Sequence, residues 1–231
     1  MYWGLFYDYW YFVLVVPMLV LSIIAQVKVK STYNKFSKVS NTKGITGAYA
    51  AQAVLTHYGI NDVRIEQVSG KLTDHYAPKV KVIRLSEGVY GSSTIAAVGI
   101  ACHEAGHAAQ HAQDYAPIKI RNSLVPVCNI GSSLGIPLAL IGYFLGFEPL
   151  ISIGLLLYAA IALFQVVTLP VELNASRRAM KVIDETGLLQ DEEQSGAKKV
   201  LTAAAMTYIA SMLVAIANLL RLILRFNNRR N

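Results

Sequence analysis

Two histidines and a glutamate stand together in the run His103-Glu104-Ala105-Gly106-His107. Residues four apart on a helix project from one face, so both imidazoles could reach a single zinc ion. Glu104 is poorly placed as a ligand, but it can act as general base, taking a proton from the attacking water and passing it to a leaving amine. Zinc would lower the pKa of that water towards ~7 and polarise a scissile carbonyl. The motif therefore predicts zinc-dependent hydrolysis of a peptide bond.

The alternative for this motif is a helix in which two polar histidines are simply hydrogen-bonded. The six residues before Cys102 are apolar or glycine, Ala96–Ala101, and would bury the helix. An unpaired His-Glu-His cluster in a buried helix would be costly, which favours the zinc interpretation.

A catalytic zinc usually has three protein ligands, so the motif needs one more. His111 is another four residues along, but with a rise of roughly 1.5 Å per residue it starts about 12 Å from His103, too far on a straight helix. The metzincin pattern breaks the helix with a glycine three residues after the second histidine, and this chain has Gln110 at that place, so nothing predicts a break that would bring His111 closer. His75, in a predicted loop, has no further support. Glu172 follows an apolar run and would complete a His₂Glu site, although the helix dipole also favours an acidic residue at a helix start.

Cys102 directly precedes the motif and has to be considered as a ligand. On a helix it would point roughly 100° away from His103, so a buried small hydrophobic residue is the better interpretation. With Cys128 as the other cysteine, the chain has no disulfide framework of the kind that small secreted domains carry.

The composition indicates a membrane protein, because 54% of the residues are apolar and only 15% are charged. Four stretches lack Asp, Glu, Lys and Arg and are long enough to span a bilayer, which needs roughly 20 apolar residues. They are Tyr9–Val27, Asn122–Phe147, Pro149–Val171 and Val200–Leu220. The formal net charge of +7 lies mostly beside these stretches, as in membrane flanks. No nucleic-acid motif appears, so nucleic acid is not an expected partner.

The second and third stretches are separated by Glu148 alone, which predicts a tight helical hairpin. Glycines in the second stretch suit either close helix packing or a flexible, kinked helix, and the sequence leaves both open. They are Gly131, Gly135, Gly142 and Gly146.

The sequence predicts a membrane-embedded, mainly α fold with a small β element and a zincin-like helix that carries the motif. Helices are expected over Thr46–Tyr58 and Ser93–Gln113, the second capped by Ser92 or Ser93, and strands over Val63–Val68 and Val80–Leu85. The predicted regions are an N-terminal anchor (1–29), a catalytic region (30–121), a transmembrane hairpin (122–171), a helix supplying the third ligand (172–199), and a C-terminal membrane helix with a basic tail (200–231).

Lysines that follow the first span place the catalytic region on the cytoplasmic side, and the hairpin returns Glu172 to the same face. A fourth full crossing would put the C-terminal arginines, among them Arg229 and Arg230, on the other side, against the positive-inside tendency. The depth of the last segment stays open.

The motif is followed, after a membrane hairpin, by Glu172-Leu173-Asn174-Ala175-Ser176-Arg177. This arrangement, with Asp74–Pro78, Val82–Ser86 and the pattern of spans, resembles the bacterial neutral zinc metallopeptidase family of the YugP type. It is more distantly similar to the HtpX-type and CAAX-prenyl-protease membrane peptidases. The resemblance implies that Glu172 is the third zinc ligand and that substrates lie in or near the membrane. In the distant relatives an aspartate four residues after the glutamate supports a histidine ligand, and Ser176 stands there in this chain, with Asn174 as a possible substitute.

We therefore predict a membrane endopeptidase that binds Zn²⁺ through His103, His107 and Glu172 and uses Glu104 as general base. The expected partners are a protein or peptide substrate and the lipid bilayer, and a homo-oligomer is possible. The alternative is a non-proteolytic zinc-binding membrane scaffold or regulatory protein.

Two assignments around the substrate are less specific. Val80–Leu85 could be an edge strand that pairs with an extended substrate, or a plain half-buried strand. Oxyanion stabilisation needs a donor near the carbonyl, and His75, Tyr76 and Arg177 are candidates that the sequence does not separate.

Overall fold

The structure is a computed structural model that describes residues 9–227. Residues 1–8 of the predicted anchor, and Arg229 and Arg230 of the basic tail, lie outside the described residues. A π-helical turn, Tyr11–Val15, leads into the first helix. The helices are α1 (Val16–Phe36), α2 (Gly47–His57), α3 (Glu87–Tyr90), α4 (Ile95–Ala112), α5 (Ala116–Leu145), α6 (Glu148–Glu185) and α7 (Asp191–Asn227). The strands are β1 (Arg64–Val68), β2 (His75–Ala77) and β3 (Val82–Ser86).

Four helical segments are long and apolar enough to cross a membrane, which confirms the predicted spans. They are Tyr11–Phe36, Ala116–Leu145, Glu148–Glu185 and Asp191–Arg225. Each of these helices extends beyond its apolar run into polar sequence at one end or both. The fold is mainly helical, with a small sheet, as predicted.

The described chain divides into two units. One, here called the hairpin unit, contains the residues up to Gln26, Lys119–Pro170 and the residues from Thr207 onwards. The other, here called the α/β unit, contains Val27–Ile118 and Val171–Met206. The long helix α6 therefore belongs to the hairpin unit up to Pro170 and to the α/β unit from Val171.

The hairpin unit is held together by close approach of α5 and α6. A side chain added at Gly131 would have its Cβ 2.7 Å from the Leu157 carbonyl oxygen, and one at Gly142 would meet the Ile151 nitrogen at 2.8 Å. Backbone atoms cannot move aside cheaply, so these positions need glycine. Close packing is thus the correct interpretation of the hairpin glycines. Gly146 has a different role, because its positive φ of 66° ends α5 in a left-handed cap.

The α/β unit is built around α4, which packs against α2 and against the second half of α6. The α4 residues that face its neighbours are mostly alanines and glycines. Gly106 is the closest point, because a Cβ there would lie 2.7 Å from the carbonyl oxygen of Ala175 on α6. The small residues therefore bring the backbones of α4 and α6 together at the position of the zinc motif.

The sheet of the α/β unit has the order β1-β3-β2, with β3 parallel to β1 and antiparallel to β2. Strand β3 is therefore central. Of the two interpretations of Val80–Leu85, the edge strand is wrong, and the segment is an internal strand that is mostly buried. The error follows from β2, which lies inside the predicted loop between the two expected strands. A strand of three residues is too short to show a recognisable period-two pattern.

Helix boundaries in the α/β unit mostly agree with the prediction. Helix α2 begins after Thr46, whose hydroxyl accepts the N–H of Tyr49. Helix α4 begins after Thr94, whose hydroxyl accepts the N–H of Ala97. The predicted cap of α4 at Ser92 or Ser93 is therefore wrong by one or two residues.

Helix α6 continues without interruption from the membrane hairpin into the α/β unit, so Glu172 is an interior residue and not the start of a helix. The helix ends at Glu185, and Gly187 just after it has a positive φ of 61°. The Leu188 N–H donates to the Ile183 carbonyl and the Gly187 N–H to the Asp184 carbonyl, as in a Schellman motif. Because α6 starts far upstream, the helix-dipole explanation of Glu172 does not apply.

Candidate metal centre

The two histidines of the motif occupy one face of α4. The ring centroids of His103 and His107 are 4.7 Å apart, with the rings nearly perpendicular. The residues on either side of them, Cys102, Ala105 and Ala108, are buried in the core of the α/β unit. Core packing on one side of the helix therefore fixes the imidazoles on the side that faces α6.

Glu172 reaches this face from α6. Its Oε2 lies 3.2 Å from His103 Nε2 and 3.4 Å from His107 Nε2, and the residue is only 3% exposed. The three groups offer ligand atoms that lie within 4.8 Å of one another. Two imidazole nitrogens and one carboxylate oxygen are the donor set of thermolysin-type catalytic zinc. The residues present therefore fit a zinc ion.

The second nitrogen of His103 is held by Ser176, one turn after Glu172 on α6. His103 Nδ1 lies 3.1 Å from Ser176 Oγ. A proton on Nδ1 donated to this hydroxyl leaves the Nε2 lone pair free to bind a metal. Ser176, at the position where an aspartate was expected from the distant resemblance, thus contacts one of the two motif histidines.

The second nitrogen of His107 is held by Gln110, which the sequence analysis treated only as a missing glycine. His107 Nδ1 lies 3.0 Å from Gln110 Oε1. The Gln110 side-chain amide donates to the Val171 carbonyl at 2.7 Å and to Asn174 Oδ1 at 3.0 Å. Because the amide NH₂ is used by these two oxygens, Oε1 must accept the Nδ1 proton, and this tautomer again leaves Nε2 for the metal.

Arg178 completes this hydrogen-bond chain. Its Nε donates to Asn174 Oδ1 at 2.8 Å, and its guanidinium lies over the rings of Tyr58 and Tyr115 at 5.5 and 5.9 Å. Asn174 therefore supports His107 through Gln110. The sequence carried a weak signal for these hydrogen bonds, because Gln110 is an amide within a run of small apolar residues of α4. The structure buries it fully, and a buried amide needs hydrogen-bond partners.

Glu104 is half-buried beside the histidines and is held by β2. The Tyr76 backbone N–H donates to Glu104 Oε2 at 3.1 Å. Asp74, the residue before β2, fixes the start of this strand. Its carboxylate accepts two hydrogen bonds from Ser86 of β3, one from the backbone N–H at 2.7 Å and one from the side-chain hydroxyl at 3.0 Å. The short strand that the sequence analysis missed is therefore the element that positions the predicted general base.

The buried carboxylates favour positive charge at this place. Burial opposes the charging of His107, but the hydrogen bond to Glu172 and the charge of Glu104 outweigh it and raise the pKa of His107 above its usual value. An environment that stabilises an imidazolium also stabilises a bound dication.

The other ligand candidates lie elsewhere. His75 and His111 are both exposed, and His75 Nδ1 lies 2.8 Å from the Thr73 carbonyl oxygen. Within the part of the chain that the structure describes, neither belongs to a group of potential metal ligands.

Cys102 is fully buried with its Sγ directed at the Ala50 carbonyl oxygen of α2, and burial raises the pKa of its thiol. Cys102 is thus the buried small residue that the sequence indicated. Arg177, one of the three residues considered as donors to an oxyanion, has an exposed side chain.

Comparison with known proteins shows which family the chain belongs to. The family described as "Putative neutral zinc metallopeptidase" matches residues 11–227, and the chain belongs to that family. The chain is 45% identical over 218 residues to the "Putative membrane protease YugP" of Bacillus subtilis (strain 168), covering 94% of this chain and 97% of that protein. No solved structure matches the chain.

These matches confirm the family resemblance, while the more distant similarity to HtpX-type and CAAX-prenyl-protease peptidases stays a prediction. The family name and the four apolar helices together make this a membrane protein of a zinc metallopeptidase family.

Proposed function

We propose that this protein is a zinc-dependent membrane endopeptidase that cleaves membrane or membrane-proximal proteins, with its site on the cytoplasmic side. One observation carries the proposal: His103 Nε2, His107 Nε2 and Glu172 Oε2 converge beside the carboxylate of Glu104. Zinc bound there supplies a Lewis acid that polarises a scissile carbonyl and lowers the pKa of a water molecule towards ~7.

Glu104 performs the proton transfers in this proposal. Its carboxylate removes a proton from the water whose oxygen attacks the carbonyl carbon, and it delivers that proton to the nitrogen of the leaving amine as the C–N bond breaks. The Tyr76 N–H occupies one lone pair of Oε2, which limits rotation of the carboxyl group and leaves its other lone pairs for the water.

The other groups around the site orient the ligands. Ser176 holds His103 and Gln110 holds His107, each through Nδ1, so both rings are fixed before a metal arrives. Such preorganisation would lower the cost of holding a zinc ion between His103, His107 and Glu172.

A non-proteolytic zinc scaffold is the second candidate, because three ligands and a nearby carboxylate could also hold a structural ion. Structural zinc sites are usually closed by four protein ligands. The group of potential ligands within the described residues has three members, which favours the catalytic interpretation.

The cytoplasmic placement rests on charge. Lys28, Lys30, Lys35 and Lys38 directly follow the first apolar run, and the positive-inside tendency puts such lysines in the cytoplasm. Since α1 leads into the α/β unit, the metal centre would share that side.

The test uses full-length protein in detergent with labelled casein as an unfolded substrate. We expect Glu104→Gln to keep its zinc and to cleave at least ~100-fold more slowly than wild type, because only the base is lost. Glu87→Gln, the same change at an exposed glutamate, should cleave like wild type.

Full activity in Glu104→Gln would contradict the assigned base. A zinc-loaded wild type that cleaves neither casein nor a membrane-anchored version of it would favour the scaffold.

A further inference from the structure

A second candidate site lies away from the metal centre, between the C-terminal part of α1 and the N-terminal part of α7. It is a cavity of about 530 Å³ within the α/β unit. None of its lining residues belongs to the metal centre or to the hydrogen bonds around it. The inference below is therefore independent of the proposed peptidase activity.

The lining of this cavity is strongly basic. It includes Lys28 and Lys35 of α1 and Lys198 and Lys199 of α7, and it contains no aspartate or glutamate. No ion pair joins any of these lysines to a carboxylate of residues 9–227. Four unpaired ammonium groups around one cavity repel one another, so a bound anion would relieve an unfavourable arrangement.

Four hydroxyl-bearing residues also line the cavity, two on each helix: Ser31, Thr32, Ser195 and Thr202. The Ser31 hydroxyl donates to the Lys28 carbonyl at 3.0 Å, so the donors for a ligand are Thr32, Ser195 and Thr202. Phosphate oxygens accept hydrogen bonds from both ammonium and hydroxyl donors, and a mixed set of this kind is suited to a phosphodiester.

The same cavity also has an apolar part. Phe36, Ala203 and Met206 contribute to its lining, and the Lys35 ammonium lies 5.5 Å from the centroid of the Phe36 ring. An inorganic ion would leave this apolar surface unused, whereas the glycerol and the first methylenes of a lipid would cover it.

The sequence puts the cavity at the depth of lipid headgroups. Lys28 is the first charged residue after the apolar run 9–27, and Lys199 is the last one before the apolar run 200–220. Both helices therefore change from apolar to charged at the cavity. Basic pockets between helices at such a boundary are suited to anionic headgroups.

We propose that this cavity binds the phosphodiester headgroup of an anionic phospholipid. The phosphate contacts the lysines of both helices, and the glycerol and first methylenes cover Phe36, Ala203 and Met206. A bound lipid thereby bridges the two helices. They already meet where a Cβ at Gly196 of α7 would lie 2.8 Å from the Phe36 ring.

The test is native mass spectrometry of the full-length protein, titrated in detergent with phosphatidylglycerol or phosphatidylcholine. The variant is Lys198→Gln with Lys199→Gln, and the control is Lys38→Gln with Lys79→Gln, which removes the same charge at exposed lysines outside the cavity. We expect wild type to bind phosphatidylglycerol at least tenfold more tightly than phosphatidylcholine. The variant should lose about tenfold or more of this affinity, and the control less than twofold.

Three results would overturn the proposal: equal binding of the two lipids, equal loss in variant and control, or displacement of the lipid by equimolar inorganic phosphate. The last result would make the cavity a site for free phosphate. If the variant does not fold, as judged by its zinc content and thermal unfolding, Lys28→Gln with Lys35→Gln replaces it with the same expected results.

Discussion

The two halves of α6 use the same packing for different purposes. In the hairpin unit, glycines of α5 let its backbone approach α6, and the atoms that these glycines meet are backbone and aliphatic side-chain atoms. In the α/β unit, Gly106 of α4 allows an equally close approach, but here α6 presents Glu172, Asn174 and Ser176 to the motif histidines and their partner Gln110. The contact with α5 requires only complementary shape. The contact with α4 requires complementary shape and also the correct register of polar side chains. Side-chain chemistry, and not the closeness of the helices, distinguishes a site from a structural contact.

The sharpest test of this difference is a matched pair of substitutions, Gly106→Ala and Gly131→Ala. In each, the new Cβ would lie 2.7 Å from a carbonyl oxygen on α6. Both should lower stability by about 1–3 kcal/mol, because overpacking displaces backbone. Only Gly106→Ala should also lose zinc, since displacement there separates Glu172 from the imidazoles. Thermal unfolding measures the stability and zinc per chain measures the site. An equal zinc content in the two variants would contradict the distinction between the two contacts of α6.

Gln110→Leu should have the next largest effect. The change removes the acceptor of the His107 Nδ1 proton and leaves the Val171 carbonyl and Asn174 without their donor. We expect zinc affinity to fall by about 10- to 100-fold, as for other groups that orient ligands. The matched control is Gln52→Leu, at an exposed glutamine of α2. Competition with a zinc chelator gives the affinities. Wild-type affinity in Gln110→Leu would show that this hydrogen-bond chain does not support the ligand.

Ser176→Ala should weaken zinc binding less, by about tenfold, because a hydroxyl orients an imidazole more weakly than a carboxylate. Ser176→Asp should match or exceed the wild-type affinity if the His103 imidazole is oriented from this position of α6. The same competition assay applies. An aspartate variant that binds zinc more weakly than the alanine variant would contradict the geometry at His103.

The smallest effect is expected at Cys102. Burial raises the pKa of its thiol, so the thiolate that alkylating reagents attack is scarce in the folded protein. Cys102→Ala should retain zinc, and the wild-type thiol should react with iodoacetamide only after unfolding. Mass spectrometry measures the reaction. Rapid alkylation of Cys102 in the native protein would show that this face of α4 is accessible to solvent.

The sequence was sufficient for features that depend on local pattern. Apolar runs long enough for a bilayer predicted the four spans, and the i, i+4 spacing of His103 and His107 predicted a shared face. Glu172 came from family resemblance, because no local pattern distinguishes a ligand from an ordinary glutamate 65 residues after His107. The structure brings these residues together, and zinc binding itself stays a prediction.

Other features could not be predicted because they depend on tertiary packing. Strand β2 has only three residues, and it pairs with β3 while it holds Glu104. The role of Gln110 depends on α6 passing beside it, which is set by Gly106. The continuity of α6 past Val171 was hidden because the change from apolar to polar sequence looks like a helix boundary.

The most direct test of the central claim is zinc per chain in purified protein, measured for wild type, His107→Ala and Glu172→Ala. Glu185→Ala is the control, since it removes another carboxylate from α6 at a position that pairs with His57. We predict about one zinc in wild type and control, and loss or strong weakening in both site variants. Zinc retained in Glu172→Ala would contradict the third ligand, and no zinc in wild type after reconstitution would contradict the metal centre itself.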